Sequence, residues 1–419
     1  MKRVLVFPCG SEIGLEIYRS LKYSKEFELY GGNSVEDHGM YVYENYISDI
    51  PFVDDEQFVE KINEIIKKYN IDYIIPAHDS VVLKLAQNSE LVNAKIVTSD
   101  KYTCEICRSK KKTYEKFSGI IPIPKMYNKS EIRDSDFPLF LKPDVGQGSK
   151  GTKKVNSVIE LESNYEQDKL ILEYLPGKEY TIDCFTSYDG RLLYCNGRER
   201  KRISNGISVN TVEVINKTFE ELANKINDTL CFSGAWFFQV KERINGELVL
   251  MEIAPRIAGT MELQRAYGIN LPLVSLYNAD EKDIALIKNK YNVILDRALE
   301  SKFKLSYEYK NVYIDLDDTL IVNDEVNYMV VAFLYKCLNE NKKIFLITRH
   351  RVDPIETLNK YKIYNLFDKI IHIGKDDNKS QYIEGKDSIF IDDSFSERKE
   401  VYDNKNIPVF DVNMIDVLL

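Results

Sequence analysis

The chain has 419 residues, 44% of them hydrophobic and 29% charged, and a formal net charge of -9. This is ordinary globular composition with material for two to four domains, and the acidic balance argues against a general nucleic-acid binder. No stretch approaches the roughly 18 apolar residues of a membrane span, and Val4–Phe7 is too short for a signal peptide.

Seven scattered cysteines fit a reducing cytoplasm, the expected location. Cys104 and Cys107 form one CxxC with no second pair at zinc spacing, so a helix carrying two half-buried thiols is expected.

In chain order, Lys2–Phe7 reads as a buried strand, Pro8-Cys9-Gly10-Ser11 as a turn, and Ile13–Leu21 as a helix. A strand at Phe27–Tyr30, a helix at Gln57–Tyr69 and the strand Tyr73-Ile74-Ile75-Pro76 follow. Strand, turn and helix alternate as in a doubly wound sheet. The Gly10 turn could cradle a phosphate at a helix start, but it lacks the GxGxxG of a dinucleotide site. His38, His78, His350 and His372 are isolated in sequence; His78-Asp79 follows a strand and could line a substrate crevice, although a surface or capping histidine is the commoner case.

Phe140-Leu141-Lys142-Pro143 is a strand ending in a lysine, followed by Gly146-Gln147-Gly148-Ser149-Lys150-Gly151. A loop so rich in glycine lets backbone N–H groups approach phosphate oxygens, although it has no Walker spacing. The strand Leu170–Leu175 leads to Pro176-Gly177-Lys178-Glu179. Further on, Phe237-Phe238-Gln239-Val240-Lys241 and Met251-Glu252-Ile253-Ala254-Pro255-Arg256 flank a turn at Asn245-Gly246. The most basic run is Asn196–Ser208. It reads as a solvated hairpin or as an anion-binding wall, with Arg202 and Ser208 as the preferred contacts. Trp236-Phe237-Phe238 reads as core strand, and Asp280–Lys310 as a charged, helix-prone connection.

These motifs, in this order, resemble the ATP-grasp superfamily, in particular its carbamoyl-phosphate-synthetase-like carboxylate–amine ligases. The resemblance implies that Lys110 (within Lys110-Lys111-Lys112) and Lys142 bind ATP. Gly146–Gly151, including Gly148 and Ser149, would close over the β- and γ-phosphates. Glu173, Tyr174 and Leu175 would contact adenine, and Glu179 the ribose. Gln239 and Glu252 would hold Mg²⁺ (or Mn²⁺), and Arg256 the acyl phosphate or transferring phosphoryl group. The family's metal strand usually reads Glu-x-Asn-Pro-Arg. Ala254 stands here in place of the asparagine, which removes a ligand to a second ion.

In the C-terminal part, Val312–Ile314 ends in Asp315-Leu316-Asp317-Asp318-Thr319, and Ile344–Ile347 ends in Thr348. A third apolar run, Ser388–Ile391, ends in Asp392-Asp393, with Lys375 and Lys379 before it. Acids at the C-terminal ends of parallel strands converge on one crevice. This set resembles the haloacid-dehalogenase (HAD) superfamily. The resemblance implies Asp315 as nucleophile, Asp317 as general acid and base, and Thr348 with Lys379 (or Lys375) on the phosphoryl oxygens. Mg²⁺ would sit on Asp315, Asp392 and the Asp317 carbonyl. The short interval from Thr319 to Thr348 leaves no room for a large cap.

The expected architecture is an α/β and α+β multidomain chain. It comprises a Rossmann-like pre-ATP-grasp domain at 1–95, an ATP-grasp domain at 96–305, and a capless HAD-like Rossmannoid domain at 306–419. The expected function is ATP-dependent ligation of a carboxylate to an amine through an acyl phosphate, with an appended phosphatase. The expected partners are ATP, Mg²⁺, small-molecule carboxylate and amine substrates, and a phosphomonoester. Neither nucleic acid nor membrane is expected, and a homodimer is compatible with the reading. Two other readings stay open: a HAD phosphatase regulated by an ATP-binding module, and a non-enzymatic nucleotide-sensing scaffold.

Overall fold

The run Val4-Leu5-Val6-Phe7 offers no polar face to water, and it forms a strand buried on both sides in the middle of a parallel sheet. The computed structural model describes residues 1–146, 148, 150–204 and 206–419. The chain forms two compact units, Met1–Leu299 and Glu300–Leu419.

Unit 1 begins with β1 (Lys2–Phe7), α1 (Glu12–Leu21), β2 (Phe27–Gly32), β3 (Asn45–Ile47), α2 (Phe58–Tyr69), β4 (Tyr73–Pro76), α3 (Asp79–Gln87) and β5 (Lys95–Ile96). The strands are parallel in the order β3-β2-β1-β4-β5. The order reverses beside β1, so the starts of α1 and α3 face one crevice at the strand ends. Each is capped: Ser11 Oγ accepts the Gly14 N–H at 3.1 Å, and His78 Nδ1 accepts the Ser80 N–H at 3.2 Å. A phosphate cradle does not form at Gly10. A Cβ there would lie 1.9 Å from Asp37 Oδ2, so a carboxylate packs against the glycine and would repel an anion.

Next come α4 (Lys101–Arg108) and α5 (Lys110–Phe117), then β6 (Met126–Tyr127), β7 (Leu139–Pro143), β8 (Lys153–Val155), α6 (Val158–Asn164) and β9 (Lys169–Glu173). Strands β6-β9-β7-β8 form an antiparallel sheet with its own small core, including Leu139, Leu141, Val155 and Ile171. The large antiparallel sheet is built from β10 (Glu179–Thr186), β11 (Leu192–Ser204), β12 (Ile207–Val214), β13 (Gly234–Glu242), β14 (Leu248–Ala254) and β15 (Ile294–Asp296). Its order is β14-β13-β10-β11-β12-β15. Between these strands run α7 (Lys217–Thr229), α8 (Glu262–Ala266) and α9 (Leu271–Ala279).

Trp236 is fully buried, stacked 4.0 Å from Phe232, with Nε1 donating to Thr186 Oγ1 at 2.8 Å; it is core, as its strand context implied. A second core joins Val4, Val6 and Tyr73 of the parallel sheet to Phe237, Ala254 and Leu276. That shared core binds the first sheet to the large one.

Residues 280–310 hold no helix, contrary to the helix-prone composition of that stretch. Side-chain anchors override propensity there: Asp280 accepts from Lys2 at 2.6 Å, Tyr73 at 2.6 Å and Lys95 at 2.8 Å. Further along, Lys288 pairs with Glu213 and β15 pairs with β12.

Unit 2 contains β16 (Asn311–Ile314), β17 (Ile321–Val322), β18 (Glu325–Val326), α10 (Tyr328–Asn339), β19 (Lys343–Thr348), α11 (Pro354–Lys360), β20 (Lys369–His372), β21 (Ser388–Ile391), α12 (Phe395–Lys405) and β22 (Val409–Phe410). The parallel sheet runs β20-β19-β16-β21-β22. Strands β17 and β18 form a small hairpin whose turn residues Asn323 and Asp324 both take positive φ, as a tight twisted turn requires. Among the described residues of the chain, no helix is long and apolar enough to cross a membrane.

Candidate functional sites

The first site of unit 1 is a cleft between the β6–β9 sheet and the large sheet. Glu173, Tyr174 and Leu175 line one end with Phe140, Leu172 and Met251, an apolar slot suited to a flat ring. Lys110, Lys142, Glu179, Arg200, Gln239, Lys241 and Glu252 line the polar end.

Strand register explains the polar end. Gln239 on β13 is the direct partner of Glu252 on β14 and of Thr181 on β10. Lys142, at the end of β7, reaches across: its Nζ lies 3.9 Å from Glu252 Oε2 and donates to the Met251 carbonyl at 3.4 Å. Lys110 opens α5 because Ser109 breaks the chain between two helices. Ser109 Oγ accepts the Lys112 N–H at 3.1 Å and bonds the Asp144 carboxylate at 2.9 Å. Lys110 Nζ then donates to the carbonyls of Asp144 and Gly146, each at 3.2 Å. Lys110 lines the cleft, and Lys111 and Lys112 do not.

Burial pushes the Lys110 ammonium down to about 8, and the neighbouring Lys142 cation adds to this. Burial likewise lowers Lys142, against the pull of Glu252. Two buried ammonium groups that share one nearby carboxylate, Glu252, favour an incoming polyanion.

Glu173 does not present a free carboxylate: Arg243 Nη2 donates to it at 2.6 Å and the Lys125 N–H at 2.8 Å. Only its backbone and its neighbours can face a ring. Glu179 is paired with Arg200 and lies 3.9 Å from Lys241.

Gly146 and Gly148 line the cleft, while Ser149 lies outside the described residues. Gly206 has φ +76°, and a Cβ there would sit 2.1 Å from the Gly148 carbonyl oxygen. Glycine at 206 thus lets the loop lie against the β11–β12 hairpin.

A second cavity adjoins the first. Lys110, Gly146, Gly148, Lys150, Arg200, Gly206, Gln239 and Glu252 line both, so they form the wall where the two meet. Its far side includes Ser11, Glu12, His78, Asp79, Arg108, Ser208, Ala254, Arg256 and Arg297.

Arg256 Nε donates to Asp79 Oδ1 at 2.5 Å and Nη2 to Asp79 Oδ2 at 2.9 Å, with the guanidinium 5.2 Å from the Phe237 ring centre. Burial alone would raise the Asp79 carboxyl, but Arg256 and Arg108 hold it below its usual value. Burial lowers His78. Ala254, two residues beyond Glu252, is buried on the same strand face and supplies no ligand atom.

Ser208 is brought to this cavity, but Arg202 is not. Arg202 is exposed and bonds Asp296 at 2.6 Å. Two register shifts in β11, around Arg202, break the alternation that would have kept it on the face of Arg198 and Arg200. Arg200 takes the cavity position instead. Sequence reading missed Arg200, Lys241 and Arg108, whereas His78-Asp79, offered as a crevice wall, does line the cavity. Only the basic run itself signalled Arg200.

Cys104 and Cys107 also line this cavity. Burial raises both thiols, Cys104 to about 12, so neither is a ready thiolate.

Unit 2 holds a separate constellation. Asp315 follows β16 and Asp392 follows β21, adjacent parallel strands. Lys379 is 2% exposed, with Nζ 2.7 Å from Asp392 Oδ2 and 2.9 Å from Asp315 Oδ1. Lys375 is exposed on the preceding loop. Oxygens of Asp315, Asp392 and Asp393 lie within 4.8 Å of one another. Asp393, not singled out in the sequence, bonds Thr319 Oγ1 through its N–H at 3.0 Å. Burial outweighs Lys379 and raises the carboxyls of both Asp315 and Asp392. That unresolved crowding fits a hard divalent cation.

The Asp317 side chain stands outside this trio. It meets His350 Nδ1 at 2.8 Å, while His350 Nε2 meets Thr357 Oγ1 at 2.8 Å. Thr348 is fully buried at the end of β19, and its Oγ1 accepts the His350 N–H at 3.2 Å.

Residues 165–297 match the family described as "ATP-grasp in the biosynthetic pathway with Ter operon". No curated protein sequence matches the chain. Among solved structures the chain is similar to the biotin carboxylase–beta-gamma-ATP complex of Campylobacter jejuni, with TM-score 0.60 and 15% identity over 70% of this chain and 74% of that one. It is similar to N5-carboxyaminoimidazole ribonucleotide synthetase of Thermotoga maritima, with TM-score 0.57 and 18% identity over 74% and 83%. It is also similar to L-amino acid ligase of Bacillus licheniformis, with TM-score 0.54 and 16% identity over 67% and 74%. The chain shares the fold of these three structures over 67% to 74% of its length.

Proposed function

We propose that unit 1 is an ATP-dependent carboxylate–amine ligase working through an acyl phosphate, and that unit 2 is a HAD-type phosphatase acting on a related phosphomonoester. The observation that carries the first half is the shared wall. One cavity pairs an apolar slot with buried lysines, and it meets a second, polar cavity at Lys110, Lys150, Arg200, Gln239 and Glu252. Such a wall lets a phosphoryl group pass from nucleotide to acceptor under positive charge.

In this reading adenine lies by Tyr174 and Leu175, with Glu179 toward the ribose. Lys142 and Lys110 take the α- and β-phosphate region, and Gly146–Gly151 closes over the β- and γ-phosphates. Gln239 and Glu252 would hold Mg²⁺ with ATP oxygens completing its shell, and bound metal would neutralise phosphate charge. These two donors fit one ion, and Ala254 gives nothing to a second. A carboxylate in the second cavity attacks the γ-phosphorus and ADP leaves. Arg256, braced by Asp79, faces the resulting acyl phosphate. An amine then displaces phosphate at the acyl carbon and loses a proton. Ser208 borders the acceptor.

For unit 2, Asp315 would be the nucleophile and Asp317 the general acid and base. Thr348 and Lys379 would hold the phosphoryl oxygens. Mg²⁺ would rest on Asp315, Asp392 and the Asp317 carbonyl, with Asp393 added by its position.

The test uses the full-length protein with two readouts: carboxylate- and amine-dependent ADP formation, and Mg²⁺-dependent phosphate release from a phosphomonoester panel. Glu252→Ala should lose the first and keep the second, and Asp315→Asn the reverse. ADP formation unchanged in Glu252→Ala would sink the ligase assignment. Phosphate release unchanged in Asp315→Asn would sink the phosphatase assignment.

A further inference from the structure

The arginines of the second cavity are not equivalent. Arg256 is answered by Asp79, Arg297 by Glu12, Arg198 by Asp183 and Arg200 by Glu179. Arg108 also lines this cavity, but its side-chain contact is a neutral one, Nη2 to Ser80 Oγ at 3.1 Å. Among the described residues it makes no ion pair. It lines the second cavity and not the nucleotide cleft, whereas Lys110, two residues on, lines both. A guanidinium has five donors and a fork that matches a phosphate. The nearby Asp79 carboxylate is bonded at both oxygens by Arg256, so the part of the Arg108 fork not bonded to Ser80 is left for an anion from the ligand.

The reacting carboxylate does not supply that anion, because it must face Lys110, Arg200 and Glu252 at the shared wall. A second anionic group, away from the reacting carbon, remains to be placed. The same chain carries, in unit 2, a lysine and three carboxylates at the ends of parallel strands, a set suited to a phosphoryl group.

We infer that the acceptor acid of the ligase cavity carries a phosphomonoester remote from its carboxylate, anchored by Arg108 and Ser80. This rests on the ligase reading of unit 1 and deepens it by naming the substrate class. It also orders the two reactions. Hydrolysis before ligation would remove the group that Arg108 holds, so ligation comes first. In that step the carboxylate takes the γ-phosphoryl group, ADP leaves, and the amine displaces phosphate, leaving the ester untouched. In the second step water cleaves the ester P–O bond of the amide product, giving an alcohol and inorganic phosphate. No reductant, oxidant or further co-reactant is needed.

The test is calorimetric titration of full-length protein saturated with MgADP, in an Asp315→Asn background so that the probe is not hydrolysed. The probes are 3-phospho-D-glycerate and D-glycerate, which differ by one phosphomonoester. The expected result is that the phosphorylated acid binds at least ~10-fold tighter. Arg108→Gln should remove most of that preference, and Arg108→Lys, which keeps the charge, should restore at least ~3-fold of it. Any binding at unit 2 is common to these proteins and cancels in the comparison. Equal binding of the two acids, absence of binding, or a preference unchanged by Arg108→Gln overturns the inference. So does a loss that Arg108→Lys does not recover, since it would be merely structural. The Kd for MgADP is read in the same samples. If MgADP fails to bind the parent protein, the ligase reading itself falls. If MgADP binds normally and the phosphate preference is missing, only this inference falls.

Discussion

Arg256 and Asp79 are joined at two points, Nε to Oδ1 at 2.5 Å and Nη2 to Oδ2 at 2.9 Å, across 177 residues of sequence. The pair ties the second residue after β14 to the first turn of α3, so the parallel sheet holds a group that lines the second cavity. Both side chains are mostly buried, at 12% and 17% exposure.

Asp79→Asn therefore leaves a buried guanidinium with a weaker partner. Breaking such a pair costs ~3 kcal/mol. Trp236 is the chain's sole tryptophan and lies in the core of unit 1, so its fluorescence follows that unit. Denaturant unfolding read this way should show the loss in Asp79→Asn. A change under ~0.5 kcal/mol would show that the pair does not brace the fold.

Ala254 lies on the same strand face as Glu252 and borders the second cavity. Ala254→Asn should add an oxygen ligand beside Glu252 and Gln239. The Mg²⁺ concentration giving half-maximal ADP formation should fall severalfold, or the rate should rise. No change in either places Ala254 outside the metal shell.

Lys110 carries the pH prediction. Its ordinary value is 10.5, and in the fold burial lowers it to about 8. Between those values the unfolded chain holds the extra proton, so this group makes unit 1 more stable as pH rises from about 8 toward 10.5, with no contribution below. Nucleotide binding runs the other way, because the phosphates need the charged form. The affinity for MgATP should fall above pH 8 by up to about tenfold per unit. Lys110→Arg, charged throughout, should flatten that slope. An identical slope in the variant would exclude Lys110 as its source.

Much of unit 1 could be read locally. Lys142 and the Glu252 strand announce themselves because a strand's alternation fixes which side chains share a face. Trp236 reads as core for the same reason. Arg202 and Arg200 show where that logic stops: a bulge re-aims the strand, and nothing in Arg200-Lys201-Arg202 marks it. The extended course of residues 280–310 was likewise hidden, since Asp280 is held by Lys2, Tyr73 and Lys95 from the other end of the unit. Arg108 was silent because its significance lies in what it faces across the cavity. The meeting of His350 with Asp317 joins two loops 33 residues apart, and neither sequence context implies it.

The central claim is that the nucleotide cleft belongs to unit 1 and works without the unit 2 site. The most direct measurement is calorimetric titration of MgATP into the full-length protein and two variants, Lys142→Ala and Asp315→Asn, with Trp236 fluorescence confirming the fold of unit 1. One molecule of ATP should bind per chain. Lys142→Ala should weaken binding at least ~30-fold, because it removes a buried cation from the phosphate path. Asp315→Asn should leave the Kd within about twofold, since it touches no group of that cleft. Undiminished binding in Lys142→Ala, or loss of binding in Asp315→Asn, would contradict the account.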